Sequence, residues 1–191
     1  MSITKTIVAR FALAAMVAAL GFSCSEINRQ SSPVKLQLTT TEQLHQVDLL
    51  GGSGCNRALG TVNIQAILIQ QNATNTTFDN VKLDRYQISY VRTDGGTQIP
   101  QPFTRAMSTT LTVGATAQAL TDFLAFPPDA LNQAPFAALQ PQNGGRDPQT
   151  GRKFVSMDIV LDVFGQTLAG ERVSGSTRIP LDFCYDCGGC S

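Results

Sequence analysis

KFVSMDIVLDVFGQTLAGERVSGSTRIPLDFCYDCGGC, residues 153–190, is the stretch that decides the fold. From Val155 the odd positions read Val155, Met157, Ile159, Leu161 and Val163, between Ser156, Asp158, Val160, Asp162 and Phe164. Successive side chains of a strand point to opposite faces, so this alternation gives an aliphatic row on one side. After residues 165–170 (GQTLAG) the same parity returns in Val173, Gly175, Thr177, Ile179, Leu181 and Phe183. Arg172, Ser174, Ser176, Arg178 and Asp182 take the other face. Two such rows joined by a short glycine-bounded loop predict an antiparallel hairpin with one face in a core. In that register Val163 faces Val173, and Asp158 faces Arg178 in an outer charge pair worth roughly 0.2–1 kcal/mol. Pro180 cannot donate to a ladder, which puts the second strand at a sheet edge near that residue.

Upstream, the pattern stays that of strands. Val34, Leu36 and Leu38 alternate with polar residues, residues 61–70 (TVNIQAILIQ) form a second strand, and residues 81–92 a third. In the third, Val81 and Leu83 share one parity while Tyr86, Ile88 and Tyr90 share the other, so a bulge is expected near Asp84-Arg85. Asp94-Gly95-Gly96 is a turn signal. Residues 98–103 read as a short edge strand broken by Pro100 and Pro102, and residues 109–113 alternate cleanly. Residues 115–126 fit strand or helix and are assigned to strand, whereas residues 41–50 fit a helical turn or irregular chain equally. Residues 127–152, with prolines at 127, 128, 135, 141 and 148, form a long loop with room for a short helix at 129–139. Asn143-Gly-Gly-Arg-Asp147 offers oxygen ligands but lacks the alternating acids of a calcium loop, so it reads as turn chemistry.

The first residues read differently. Lys5 and Arg10 precede an unbroken apolar run from Phe11 to Phe22, which has the length of a secretory signal and is too short to span a bilayer. Leu20-Gly21-Phe22-Ser23-Cys24 follows, with Ser25 after it. This resembles the lipobox of bacterial lipoproteins, in which a small residue precedes a cysteine that becomes the lipidated N-terminus. Ser23 and Cys24 match; the leucine stands one place early, and Gly21-x-Ser23 also fits ordinary signal cleavage at the same bond. The resemblance implies a lipid on Cys24 and, through Ser25, residence at the outer membrane of the cell envelope. The expected organisation is a signal peptide at 1–23, a polar tether at 24–33 and one domain at 34–191. Without Lys5 and Arg10 the chain has 12 basic residues against 14 acidic, and no basic patch for nucleic acid.

Five cysteines is an odd count for an exported protein. Assigning Cys24 to lipid leaves Cys55, Cys184, Cys187 and Cys190, which can pair in three ways. If the strands number about seven and alternate in direction, the loop carrying Cys55 lies at the same end as the terminal cluster, favouring a bridge between them. A bridge across so long a loop stabilises by about 4–5 kcal/mol in the chain-entropy model. The metal alternatives are weaker. An iron–sulfur run needs a further cysteine and a proline downstream, and overlapping C-x2-C pairs are not the spacing of a zinc knuckle. Redox chemistry at Cys184-x-x-Cys187 calls for a helix N-terminus, where the pattern gives a strand end.

The resulting expectation is an all-β, antiparallel β-sandwich of about seven strands. Its layout resembles immunoglobulin-like and fibronectin-type domains, without their internal Cys…Trp…Cys. No residue set suggests catalysis: G-x-S-x-G, H-E-x-x-H and a Cys–His pairing are missing, and Asp158 and Asp162 sit on a solvated strand face. Residues 51–54 (GGSG) lack phosphate-loop spacing. His45, the only histidine, reads as a surface residue. The function expected is that of a non-enzymatic, lipid-anchored envelope protein, structural or binding a protein partner, with no cofactor. The alternative is a metal- or small-ligand-binding envelope protein using the cysteine end.

Overall fold

The computed structural model describes residues 32–40, 45–50, 57–70, 72–121 and 123–188. Cys24, Cys55, Cys190, the signal segment, the tether up to residue 31 and the GGSG loop lie outside the described residues. Among the described residues eight strands are seen: β1 (Val34–Thr40), β2 (Gln46–Asp48), β3 (Val62–Leu68), β4 (Val81–Arg92), β5 (Phe103–Leu111), β6 (Gln118–Leu120), β7 (Phe154–Thr167) and β8 (Arg172–Cys184). They form a three-stranded sheet, β1-β3-β6, and a five-stranded sheet, β2-β8-β7-β4-β5. The chain is therefore all-β with two sheets, and the five-stranded sheet curls into a half-barrel.

The β7–β8 hairpin forms as its alternation dictates. Val155, Met157, Ile159, Leu161, Val163, Val173, Ile179, Leu181 and Phe183 are all buried in the common core. Its register departs from the expected one by two residues: Val163 pairs with Gly175 and Asp158 with Pro180. The reason is local. Gly165, Gln166 and Thr167 continue the strand, and the turn tightens to Thr167–Glu171, where the Thr167 N–H donates to the Glu171 carbonyl at 2.8 Å and Gly170 takes φ +91°. A shift of two keeps every side chain on its expected face. Asp158 and Arg178 now meet diagonally, Oδ2 to Nη1 at 3.7 Å across a largely exposed surface, a minor contribution.

Gly165 is a strand residue for a steric reason. It pairs with Leu83 beside the β4 bulge between Leu83 and Arg85, where the parity change predicted one. A Cβ there would stand 2.5 Å from the Lys82 carbonyl oxygen. Gly175 plays a similar part between the sheets: its Cβ would meet Leu36 Cβ at 2.7 Å and Leu38 Cδ1 at 2.6 Å, so β1 packs directly on the β8 backbone.

Other expectations are corrected by the structure. The strands do not simply alternate in direction, since β2 runs parallel to β8. Residues 98–102 are coil, because two prolines remove ladder donors, and the strand begins only at Phe103. Of the described residues within 115–126 only Gln118–Leu120 forms a strand, with an isolated bridge from Leu124 to Ala58. Next to Pro180 the outer side of β8 carries no strand among the described residues, because β2 covers only Asp182–Cys184. The proline-rich segment holds the short helix α1 (Phe136–Leu139) between 3₁₀ turns at Pro128–Asn132 and Pro141–Asn143. It plugs one end of the core: Phe136 packs edge-on against Phe126 and tilted against Phe183, with ring centroids 5.3 and 4.9 Å apart.

Gly165→Ala should lower the stability to urea by about 1–3 kcal/mol, the usual cost of forcing atoms into a filled site. An unchanged urea midpoint would mean that β7 and β4 are not held this close.

Candidate functional site

Arg92 ends β4 and turns inward. Its guanidinium holds Asp94 through two bonds, Nε to Oδ1 at 2.7 Å and Nη2 to Oδ2 at 2.8 Å. Nη2 also donates to Asp147 Oδ2 at 2.9 Å, and Nη1 donates to the Gln98 carbonyl at 3.1 Å. The side chains of Arg92, Asp94 and Asp147 are 2%, 0% and 0% exposed, so this is a buried ionic cluster. Asp94 accepts from the N–H groups of Gly96 and Ser156, and Asp147 Oδ2 from both the N–H and the hydroxyl of Thr150. The cluster thus ties the β4–β5 connection and the proline-rich segment to β7. Gly96 leaves room for it, since a Cβ would lie 2.3 Å from Arg92 Nη2. Burial opposes the charge on all three groups. The hydrogen bonds outweigh it, holding both carboxyls below their ordinary range and Arg92 above its own. Read as turn chemistry, Asp94 and Asp147 gave no sign of this in the sequence, because their shared partner is a strand residue.

At the C-terminal end of β8, Cys184 and Cys187 form a disulfide with Cα atoms 6.0 Å apart. Its loop is only a few residues long, so its chain-entropy contribution is about 2 kcal/mol rather than the larger figure for a long loop. What fastens this loop to the early part of the chain is Asp48, at the end of β2. Its buried carboxylate accepts from the N–H groups of Leu50, Asp186 and Cys187 at 2.9–3.0 Å. Gln46 adds a bond from Nε2 to the Cys187 carbonyl at 3.2 Å. Disulfide sulfurs are not thiolates, so Cys184 and Cys187 in this state are not metal ligands. Among the described residues no group of three His, Cys, Asp or Glu side chains is placed to hold a metal. His45 is exposed, and its backbone carbonyl accepts from the Asp182 N–H.

The third feature is a seam between the sheets. Among the described residues β5 is the last strand of one sheet and β6 the last of the other. Between them lies a groove of about 350 Å³ lined by Tyr86, Arg105, Met107, Thr109, Leu120 and Phe123. A second hollow of about 130 Å³ follows beside Thr110, Leu111 and Thr112, facing Gln118 of β6. Tyr86 is fixed in the groove by edge-on contacts with Phe103 and Phe123. The parity of β5 sends Arg105, Met107 and Thr109 towards the groove, a signal legible only once β6 is placed opposite.

No protein-family model, curated protein or solved structure matches the chain. Its residues alone carry the functional reading.

The ionic cluster predicts a pH dependence. The two carboxyls titrate lower folded than unfolded, so their stabilisation is complete above about pH 5 and is lost as pH falls below about 4. Arg92→Met should cost about 3–5 kcal/mol near pH 7, because two carboxylates are left buried without their cation. Its deficit should shrink on acidification, since those carboxyls then gain protons on folding. Urea titrations of both proteins across that range check the sign.

Proposed function

We propose that this chain is an exported, non-enzymatic envelope protein, tethered by a lipid on Cys24, whose β domain serves as a protein-interaction module. Export is supported by the basic start, the apolar run and the small residue before Cys24. The Cys184–Cys187 disulfide accords with an oxidising compartment. With these two sulfurs joined, Cys55 and Cys190 are the remaining pair. The two-sheet arrangement supports a layout akin to immunoglobulin-like sandwiches, with the curled sheet and the parallel β2–β8 pair as departures.

The observation that carries the module reading is the seam between β5 and β6. An unpaired strand edge offers a row of N–H and C=O groups, and proteins usually blunt such edges with charge, proline or a bulge. β5 has nine residues, one charge (Arg105), no proline and a single register shift opposite Asp84, and it flanks a groove with apolar side chains on its floor. This suits the addition of an extended partner segment, with main-chain bonds for affinity and alternate side chains entering the groove for selectivity.

Intact mass of the protein purified from membranes should show a lipid on Cys24 and, after reduction, the mass gain of two disulfides, with peptide mapping giving Cys184–Cys187 and Cys55–Cys190. A free thiol, or an unmodified N-terminus, would break this reading at that point.

For the module, peptides selected from a random display library on the full chain should alternate apolar and polar residues. They should perturb the amide signals of Thr104–Thr110 and Gln118–Leu120, and bind Met107→Asp at least about tenfold more weakly. Selected peptides that leave those amides unmoved would place the interaction elsewhere.

A further inference from the structure

The five-stranded sheet has a second concavity on its outer face, opposite the seam. Register lays this face out in rows. Ala106, Arg85, Phe164 and Ser174 stand side by side across β5, β4, β7 and β8, and Thr110, Lys82, Gln166 and Arg172 form the next row. The β4 bulge inserts Asp84 between the two rows, and the missing side chain of Gly165 brings β7 against the β4 backbone there. The result is a trough of about 540 Å³, walled by Asp84, Arg85, Phe164, Gln166, Arg172 and Ser174. That volume is in the range of small-molecule sites.

We infer that this trough binds an acidic saccharide, with Arg85 and Arg172 taking its carboxylate or phosphate and Gln166 and Ser174 its hydroxyls. The charge argument comes first. Two guanidiniums face a single carboxylate in the trough, and Lys82 stands in the adjoining row. The guanidinium of Arg172 has no carboxylate partner among the described residues, and Arg85 has only Asp84, Nη1 to Oδ1 at 2.9 Å.

The second argument is preorganisation. Arg85 lies with its guanidinium carbon 4.8 Å from the centre of the Phe164 ring, so the planar fork is held by stacking and by Asp84 together. A fork fixed in this way presents its remaining N–H groups at little entropic cost, which suits bidentate capture of a carboxylate or phosphate.

The third argument is polarity. The one aromatic ring in the trough is already covered by Arg85, and the rest of the wall is amide, hydroxyl and charge. An apolar ligand would gain little there, whereas a ring carrying hydroxyls beside an acidic group finds both donors and acceptors. Asp84 then accepts from ligand hydroxyls as well as holding Arg85.

Titration calorimetry of the full chain with digalacturonate, glucose 6-phosphate, cellobiose and inorganic phosphate tests the assignment. Binding of digalacturonate or glucose 6-phosphate at millimolar affinity or better, with cellobiose and inorganic phosphate at least about tenfold weaker, is the expected result, and which of the two binds tells carboxylate from phosphate. Arg172→Gln and Arg85→Gln should each weaken that binding at least about tenfold. Arg172 is exposed on a strand next to the hairpin turn, so its variant keeps the fold even if Arg85→Gln loosens the bulge. Failure of both acidic sugars to bind, inorganic phosphate binding as tightly as glucose 6-phosphate, or Arg172→Gln binding like wild type would each overturn the assignment.

Discussion

The long inner row of the β7–β8 hairpin has to be kept from water along its whole length, and the rest of the molecule is arranged to do so. β1 and β3 bring Val34, Leu36, Val62, Ile64 and Ala66 to the common core, but their seven residues are about half the length of β7. Phe126 and Phe136 supply further cover next to Phe183, and Leu139 is buried in the same core. A proline-rich segment with little regular structure of its own can hold that position only if it is fastened at its other end. The buried bonds of Arg92 to Asp147 provide that fastening. Burying three charges is costly; the donors around Asp94 and around Asp147 Oδ2 offset that cost, while Asp147 Oδ1 is buried without a hydrogen bond.

How much of this was legible in the sequence depended on whether the signal was periodic or relational. The two faces of β7 and β8, the alternation of β1, the run of β3 and the bulge in β4 were all readable, because burial of one face imprints parity on a strand. The hairpin register was not, because Gly165 resembles a turn glycine while the reason for it is the carbonyl of Lys82 on another strand. β2 has only three residues and no alternation to detect. The role of Asp48 depends on N–H groups from residues 186 and 187, so no local pattern announces it. Cys184 and Cys187 stood out as sulfurs able to pair; which partner each takes is a matter of distance in space.

The five-stranded sheet therefore separates two unlike surfaces. Its inner side, at the seam with β6, sets Tyr86, Met107, Leu120 and Phe123 beside Arg105 and Thr109 and is bordered by strand edges. Its outer side, at the bulge, is polar and cationic. One distortion relates them: the bulge resets the parity of β4, so that Tyr86 falls on the inner side while Arg85 beside it falls on the outer one. A β4 without the extra residue would exchange these positions, and neither surface would keep its character.

Strand order in this sheet also governs when the domain can assemble. Of its four pairings only β4–β5 lies wholly within residues before 154; β7 and β8 make the other three, including the one that captures β2 from more than a hundred residues upstream. A nascent chain can neither close the sheet nor seat Asp48 until β8 has been delivered. Contacts of such high sequence separation form slowly, so the domain stays open while its chain is being made, and locks only after β8 arrives.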